Sequence, residues 1–430
     1  MRSLFLIVLA GLATFLRLLW INEMEFKGDE AEGVHFLTQV LPHLPFSPLG
    51  LIAGHSGFSH SSGFAYFVRI LSFGASDPVW IAAAIALSNS LGIALGLLLC
   101  RKSEKGFLTF AMCATSLNLV LGSRKIWSPD LVAFWIYLFL GGFIYSFSEN
   151  LESKKMNITK KSQLILGLSA FCLTLAGHMY PPGVLFALMG TGCITLWLFW
   201  NGMKSRLTAW VVGSGVGWLT WIPYGYSLAI HADQAIRRES SILDSLGQNF
   251  SWLELWNLAR TILTLPSPQA SANLYLFKYL PSIKAYNPSF LVPLIVSCMI
   301  ILTLLWSLGF IASWIQIFHY RKKITKDPLL ILSILILIGT GIALELISIG
   351  NYLHYWFGAI PFAYYLMAWA YSETSQKTRD RFHLRAFLWT GVGGSAIAVL
   401  LFLCLVRQMG GLPGEYGRSY RVLKTLDNNS

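Results

Sequence analysis

Apolar runs about as long as a bilayer's hydrocarbon core is thick recur from one end of this chain to the other, and no other feature restricts its fold as much. Runs over 4–21, 79–99, 107–121, 131–147, 164–177, 182–200, 207–230, 290–318, 329–349, 353–371 and 386–406 give about eleven candidate crossings against the ~20 residues that a transmembrane helix needs. In hydrocarbon every backbone N–H and C=O must find its partner within the protein, so such runs become helices. The expected fold class is all-α, a polytopic transmembrane helical bundle. Composition agrees: 55% of the 430 residues are hydrophobic and only 12% are charged, more apolar sequence than a soluble core of this size uses. A further stretch, 64–73, reads as a short or interfacial segment.

The net charge of +12 invites a nucleic-acid reading, but the positions of the cations exclude one. More than half of the 32 Lys and Arg fall on alternate connections, at Arg2, Arg101 to Lys105, Lys154 to Lys161, Lys204 and Arg206, Arg321 to Lys326, and Lys377 to Arg385. That one-sided excess is the positive-inside pattern; it predicts a cytoplasmic N-terminus in a bacterial-type inner or plasma membrane. Cleavage of the first run as a signal peptide is the competing reading. Its n-region carries only Arg2, and no small-residue cleavage site follows it. The six cysteines lie in or beside the apolar runs without metal-ligand spacing and read as small buried hydrophobes.

This orientation leaves two sizeable extracytoplasmic loops, 22–78 and 231–289. In the second, Trp252, Leu255, Trp256, Ala259, Ile262 and Leu263 recur at helical spacing, as in a helix lying in the headgroup region. No short-period repeat or low-complexity linker divides the chain. It reads as one integral domain over 1–406 with an extracytoplasmic tail, 407–430, too small to fold alone.

The first loop concentrates five of the chain's 20 acids, Glu23, Glu25, Asp29, Glu30 and Glu32, just beyond the first crossing. A carboxylate there can accept the proton of an attacking hydroxyl or amine, and adjacent acids can hold a divalent cation. A merely solvated acidic turn has the same sequence, and the residues alone leave these readings open. Arg124 and Lys125 break the charge pattern, since they sit on the cation-poor face, and an anion such as a lipid phosphate would compensate them. Ionisable groups at the ends of spans on the same face, Arg17, His178, Glu345 and His354 with Tyr355, are supporting candidates. His55 and His60 are candidates to join Asp29 and Glu30 around a metal, Mg, Mn or Zn. Phosphate-loop, zinc-protease, nucleophile-elbow and CxxC motifs are absent from the sequence.

Four stretches in this order carry a family resemblance. They are Arg17 followed by Gly28-Asp29-Glu30-Ala31-Glu32; His60-Ser61-Ser62-Gly63-Phe64-Ala65-Tyr66-Phe67; Ser123-Arg124-Lys125-Ile126-Trp127-Ser128-Pro129-Asp130; and His354-Tyr355-Trp356-Phe357-Gly358-Ala359-Ile360-Pro361. Together they resemble the GT-C membrane glycosyltransferases, in the branch of the dolichyl-phosphate-mannose protein mannosyltransferases and the lipid A aminoarabinose transferase. The resemblance implies a GT-C-like bundle with interfacial helices in its outer loops, and an inverting hexosyl or pentosyl transfer on the extracytoplasmic face. It implies a polyprenyl-phosphate sugar donor and a protein, lipid or glycan acceptor, with membrane lipids around the enzyme and no nucleic acid. It places catalysis at Asp29 with support from Glu30, and donor-phosphate binding at Arg124, Lys125, His354 and Tyr355. His354 stands where the family pattern favours Arg, and the soluble C-terminal domain of some relatives has no counterpart here. A transporter or flippase of lipid-linked sugars or polyprenols is the alternative. It would show charged or broken spans at the bilayer midplane and internal repeats, whereas the charges here gather at one face.

Overall fold

The computed structural model describes residues 2–43, 49–52, 59–148, 159–230, 252–286, 290–346, 352–375 and 381–427. The helices are α1 (Arg2–Leu18), α2 (Gly28–His35), α3 (Gly63–Leu71), α4 (Pro78–Leu99), α5 (Glu104–Thr115), α6 (Leu117–Gly122), α7 (Val132–Ser148), α8 (Lys160–Met179) and α9 (Pro181–Trp200). They continue as α10 (Lys204–Leu219), α11 (Ile222–Ile230), α12 (Trp252–Thr264), α13 (Gln269–Tyr275), α14 (Leu291–His319), α15 (Pro328–Leu346), α16 (Ile360–Ser375), α17 (Arg381–Met409) and α18 (Tyr420–Asp427). Two small antiparallel hairpins complete the fold: β1 (Leu49–Ile52) with β2 (Ser59–Ser61), and β3 (Gly411–Leu412) with β4 (Gly417–Arg418).

Helices begin within or beside the expected apolar runs. Among the described residues seven helices are long and apolar enough to cross a membrane: α4, α7 with its preceding turn, α8, α9, α14, α15 and α17. The chain is an integral membrane protein. Three of the expected runs are interrupted: 107–121 at Ser116, 207–230 at Thr220 and Trp221 between α10 and α11, and 353–371, where a 3-10 turn, Leu353–Trp356, precedes α16.

Local chemistry sets the helix starts. Asp77 Oδ1 accepts from the Val79 N–H at 2.8 Å with Pro78 in the first turn of α4, Ser103 Oγ accepts from Gly106 at 3.2 Å, and Thr159 Oγ1 accepts from Ser162 at 3.1 Å. Each satisfies a donor that the helix cannot. The core is ring-rich, with Phe139 packed on Trp210 and Phe362 at centroid distances of 6.3 and 6.1 Å. Helices α8 and α10 approach so closely that a Cβ on Gly213 would lie 2.0 Å from the Gly167 carbonyl oxygen, the small-residue contact by which membrane helices pack in a solvent as apolar as they are.

Arg17 shows why the 107–121 run can break without penalty. The side chain is fully buried and donates to the carbonyls of Cys113 (3.2 Å) and Ala114 (3.0 Å), and to Ala13 of its own helix (3.1 Å). These α5 carbonyls stand at a helix end and would otherwise lack donors. In the second loop, α12 forms where helical spacing predicts it, but its packing face is rotated. Leu258 is buried against Gly341 of α15, while Trp256 stays exposed, because the contact with α15 rather than the widest apolar stripe decides the buried side.

Candidate active site

After α1 the chain reverses through Trp20, in a left-handed conformation (φ 49°) with the Arg407 guanidinium 4.6 Å over its ring. A short 3-10 turn, Ile21–Glu23, and an extended strand lead into α2. The start of α2 is set by Glu30, whose Oε2 accepts from the Lys27 N–H at 3.0 Å, while Asp29 and Glu30 place negative charge in the first turn, where the helix dipole favours it.

The five acids do not share one environment. Glu23, Glu25 and Glu30 are buried, whereas Asp29 and Glu32 are exposed. Glu25 is held by Lys27 at 2.7 Å, by Lys125 through a short ion pair, and by the Tyr275 hydroxyl at 3.1 Å. Burial raises the Glu30 pKa; Lys125 opposes that shift and Glu25 adds to it. Asp29 makes no hydrogen bond or ion pair with a described residue.

The basic turn lies directly against the acidic one. A Cβ on Gly33 of α2 would approach the Ile126 carbonyl oxygen to 3.2 Å, a tight contact that shows how closely α2 lies against the basic turn. The two cations have different roles. Arg124 is 2% exposed and donates to the carbonyls of Arg17 (2.9 Å), Leu19 (2.7 Å) and Trp20 (2.8 Å). It caps the end of α1, where orphan carbonyls and the negative pole of the helix favour a cation. That geometry corrects the expectation of a phosphate contact at Arg124, since the donors of its two terminal nitrogens face the backbone. Burial lowers its pKa to about 10, which leaves it charged at neutral pH. Desolvation also acts to lower Lys125, but Tyr275, Glu25 and Glu30 outweigh it and hold its pKa well above the ordinary lysine value.

An aromatic group closes the site. Trp127 and His354 pack at a tilt with centroids 4.4 Å apart, His354 and Tyr355 likewise at 4.1 Å, and Tyr180 and Tyr355 lie nearly parallel at 5.8 Å. Burial raises the Tyr180 pKa, and Tyr355, Asp29 and Asp130 raise it further, which places both aspartates within electrostatic reach of this ring. Asp130 is 2% exposed; its Oδ2 accepts from the Trp127 N–H at 3.1 Å, while Oδ1 has no hydrogen-bond partner among the described residues.

Of the residues singled out in the sequence, Asp29, Glu30, Lys125, His354 and Tyr355 thus come together around Tyr180 and Trp127, and Arg17 and Arg124 brace the backbone beneath them. His178 is engaged elsewhere. Its Nδ1 meets Ser61 Oγ at 2.8 Å and its Nε2 meets Thr220 Oγ1 at 2.7 Å, in the wall of a cavity of about 290 Å³ shared with Tyr66, Phe67 and Trp135. Glu345 is half-buried in the last turn of α15. His55 and the side chain of His60 lie outside the described residues. Among those described, no three His, Cys, Asp or Glu groups converge as a metal-ligand set. Of the candidate ligands, Glu30 is tied to the Lys27 amide and Asp29 is exposed; no step below passes through a metal.

Sequence reasoning missed Asp130, Tyr180 and Glu25 as members of the site. Asp130 reads as an ordinary helix-start acid, and Tyr180 as a boundary residue before Pro181. The only available signal was the placement of each on the same expected face as Asp29.

The sequence matches no known family and no curated protein. The fold does have relatives among solved structures. It superposes on the oligosaccharyltransferase of Archaeoglobus fulgidus in its apo form with 16% identity and a TM-score of 0.53, covering 100% of this chain and 58% of that one. It also superposes on the same enzyme in complex with Zn and sulfate (16% identity, TM-score 0.54, covering 99% and 55%) and tethered with an acceptor peptide containing the NVT sequon (14%, 0.52, 96% and 56%). This chain spans little more than half the length of that enzyme. At this identity it is the fold alone that is shared.

Proposed function

We propose that the chain is a membrane glycosyltransferase that moves a sugar from a polyprenyl-phosphate-linked donor to an acceptor on the extracytoplasmic face. The observation that carries this reading is the sorting of charge around α2. The loop's buried acids are paired or tied to the backbone, whereas Asp29 is exposed, within electrostatic reach of Tyr180, and makes no ion pair with a described residue. Such a carboxylate is free to take a proton. The GT-C fold supports the same reading.

In the proposed reaction Asp29 accepts the proton of the acceptor hydroxyl or amine as that atom attacks the anomeric carbon from the face opposite the phosphate. The carbon–oxygen bond to phosphate breaks, its electron pair leaves with polyprenyl phosphate, and the configuration inverts. Lys125, His354 and Tyr355 face the departing phosphate, whose negative charge grows as the bond breaks. The positive-inside pattern sets the orientation, with the N-terminus cytoplasmic and the remaining short helices completing about eleven crossings.

The test is radiolabelled transfer from a panel of polyprenyl-phosphate sugars by purified protein. Asp29→Asn is expected to lower turnover by ~10²–10⁴-fold, the usual contribution of a positioned general base, with membrane insertion and donor binding retained. Full activity in that variant removes Asp29 from the mechanism. Movement of lipid across vesicles without transfer would establish the flippase alternative.

A further inference from the structure

The C-terminal tail is bound to the acidic turn through residues between Glu415 and Arg421. Past α17 the chain turns back through Gly410 and Gly411 (φ 67° and 125°), forms the β3–β4 hairpin and ends in α18. Ser419 pairs with Glu25 as an antiparallel bridge, and the Tyr420 N–H donates to the Met24 carbonyl at 3.1 Å. The Tyr416 hydroxyl donates to the Glu23 carbonyl at 2.6 Å, and Arg421 forms a short ion pair with the buried Glu23 carboxylate. Tyr420 meets Phe26 edge-on at 5.0 Å, and Glu415 lies 3.7 Å from Lys27. The tail therefore acts as the second strand to residues 23–26, the segment that delivers Asp29. Arg124 and Lys125 hold the turn that precedes and flanks this segment.

We propose that the tail is a positioning device for the reaction, with Tyr416 and Arg421 as positioning residues that fix Asp29 through Glu23 without touching substrate. This inference rests on the transfer reading above. Residues 24–27 form neither helix nor sheet of their own, and the carbonyls at Glu23 and Met24 take donors from the tail. Without those donors the segment loses its partner strand, and Asp29, two residues beyond Lys27, moves with it. A displacement of 1 Å at a reacting group costs about 10²-fold in rate.

The experiment compares full-length wild type with Arg421→Gln, Tyr416→Phe, the double variant and Arg421→Lys, which keeps the ion pair. Measured are kcat and KM for transfer, the thermal midpoint, and amide hydrogen exchange over residues 23–32. The double variant is expected to lower kcat by about 10–100-fold with donor KM nearly constant and to accelerate exchange in the acidic turn while the spans stay protected; Arg421→Lys should restore most of both. Unchanged exchange over 23–32 in the double variant overturns the proposal, as does a fall in kcat that only tracks loss of the whole fold. If wild type transfers no sugar from any donor, the functional reading fails, and with it the tail's catalytic role, while the exchange data separately show whether the tail holds the turn.

Discussion

Replacing Arg124 by Ala separates two roles that one sequence position suggested equally well. The guanidinium donates to three carbonyls at 2.7–2.9 Å, those of Arg17, Leu19 and Trp20, within a fully packed surrounding. Hydrogen bonds to a charged group contribute ~1.5–3 kcal/mol each, but bonds from one guanidinium are not additive. The loss of the whole fork, leaving the Arg17 and Leu19 carbonyls without its donors while the Glu23 N–H still donates to the Trp20 carbonyl at 2.9 Å, is expected to cost about 3–5 kcal/mol. Arg124→Lys replaces a planar fork with a single ammonium and should recover only part of this. The assay is thermal or denaturant unfolding of the purified protein in detergent, run beside donor binding measured with a polyprenyl-phosphate sugar. A capping role predicts a lowered unfolding midpoint and donor affinity largely intact wherever the variant is folded. Direct phosphate contact predicts the reverse, an unchanged midpoint with binding weakened by ~2–5 kcal/mol, the loss seen when one member of a desolvated charge pair is removed. That second pattern would refute the structural assignment.

Burial raises the Glu30 pKa, so the folded state binds this proton more tightly than the unfolded one. The stability contributed by Glu30 is complete below the ordinary glutamate value and is lost as pH rises through the raised value; Glu30→Gln should flatten that decline in unfolding free energy measured across the same pH window. Lys125→Met strips one cation from the buried Glu25 and should destabilise by roughly 3–5 kcal/mol, with Glu25→Gln in the same chain restoring part of it. A double-mutant cycle read by unfolding checks this pair, and a coupling energy near zero would show that Lys27 and Tyr275 satisfy Glu25 without Lys125.

The bundle was legible in the sequence because hydropathy and length act locally; each apolar run contains within itself the reason it is helical. The site was legible only in outline. Arg124 and Lys125 stood out as cations on the wrong face, and the inference that something anionic compensates them was physically sound. What compensates them comes from the chain itself: the carbonyl end of α1 for Arg124, and Glu25 for Lys125. No periodicity reports such pairings, because the partners are separated by about a hundred residues of intervening helix. The tail was harder still. Arg421 and Glu23 are 398 positions apart, and a short polar segment after the last crossing has no pattern of its own to announce a partner. Asp130 and Tyr180 were hidden for the opposite reason, since both have adequate local roles at helix boundaries.

The crowding of acids after α1 also has a physical explanation that the count alone did not supply. Five carboxylates in one short turn repel each other, and an unbalanced cluster would oppose the approach of a phosphate. The fold removes most of that repulsion by bringing cations from separate parts of the chain: Arg421 from the tail to Glu23, and Lys27 with Lys125 to Glu25. Glu30 is buried and biased toward its neutral form. The acids that anchor the turn are thereby distinguished from the one proposed to react, and Asp29 lies exposed with the paired Glu23 and Glu25 behind it. If this division is correct, the paired acids should tolerate isosteric replacement when their cation is replaced in the same variant, whereas no second substitution should rescue Asp29→Asn. Recovery of transfer in an Asp29→Asn background by neutralising Lys125 or Arg421 would show that Asp29 contributes only to the charge balance, and the assignment of the proton-accepting role would fall.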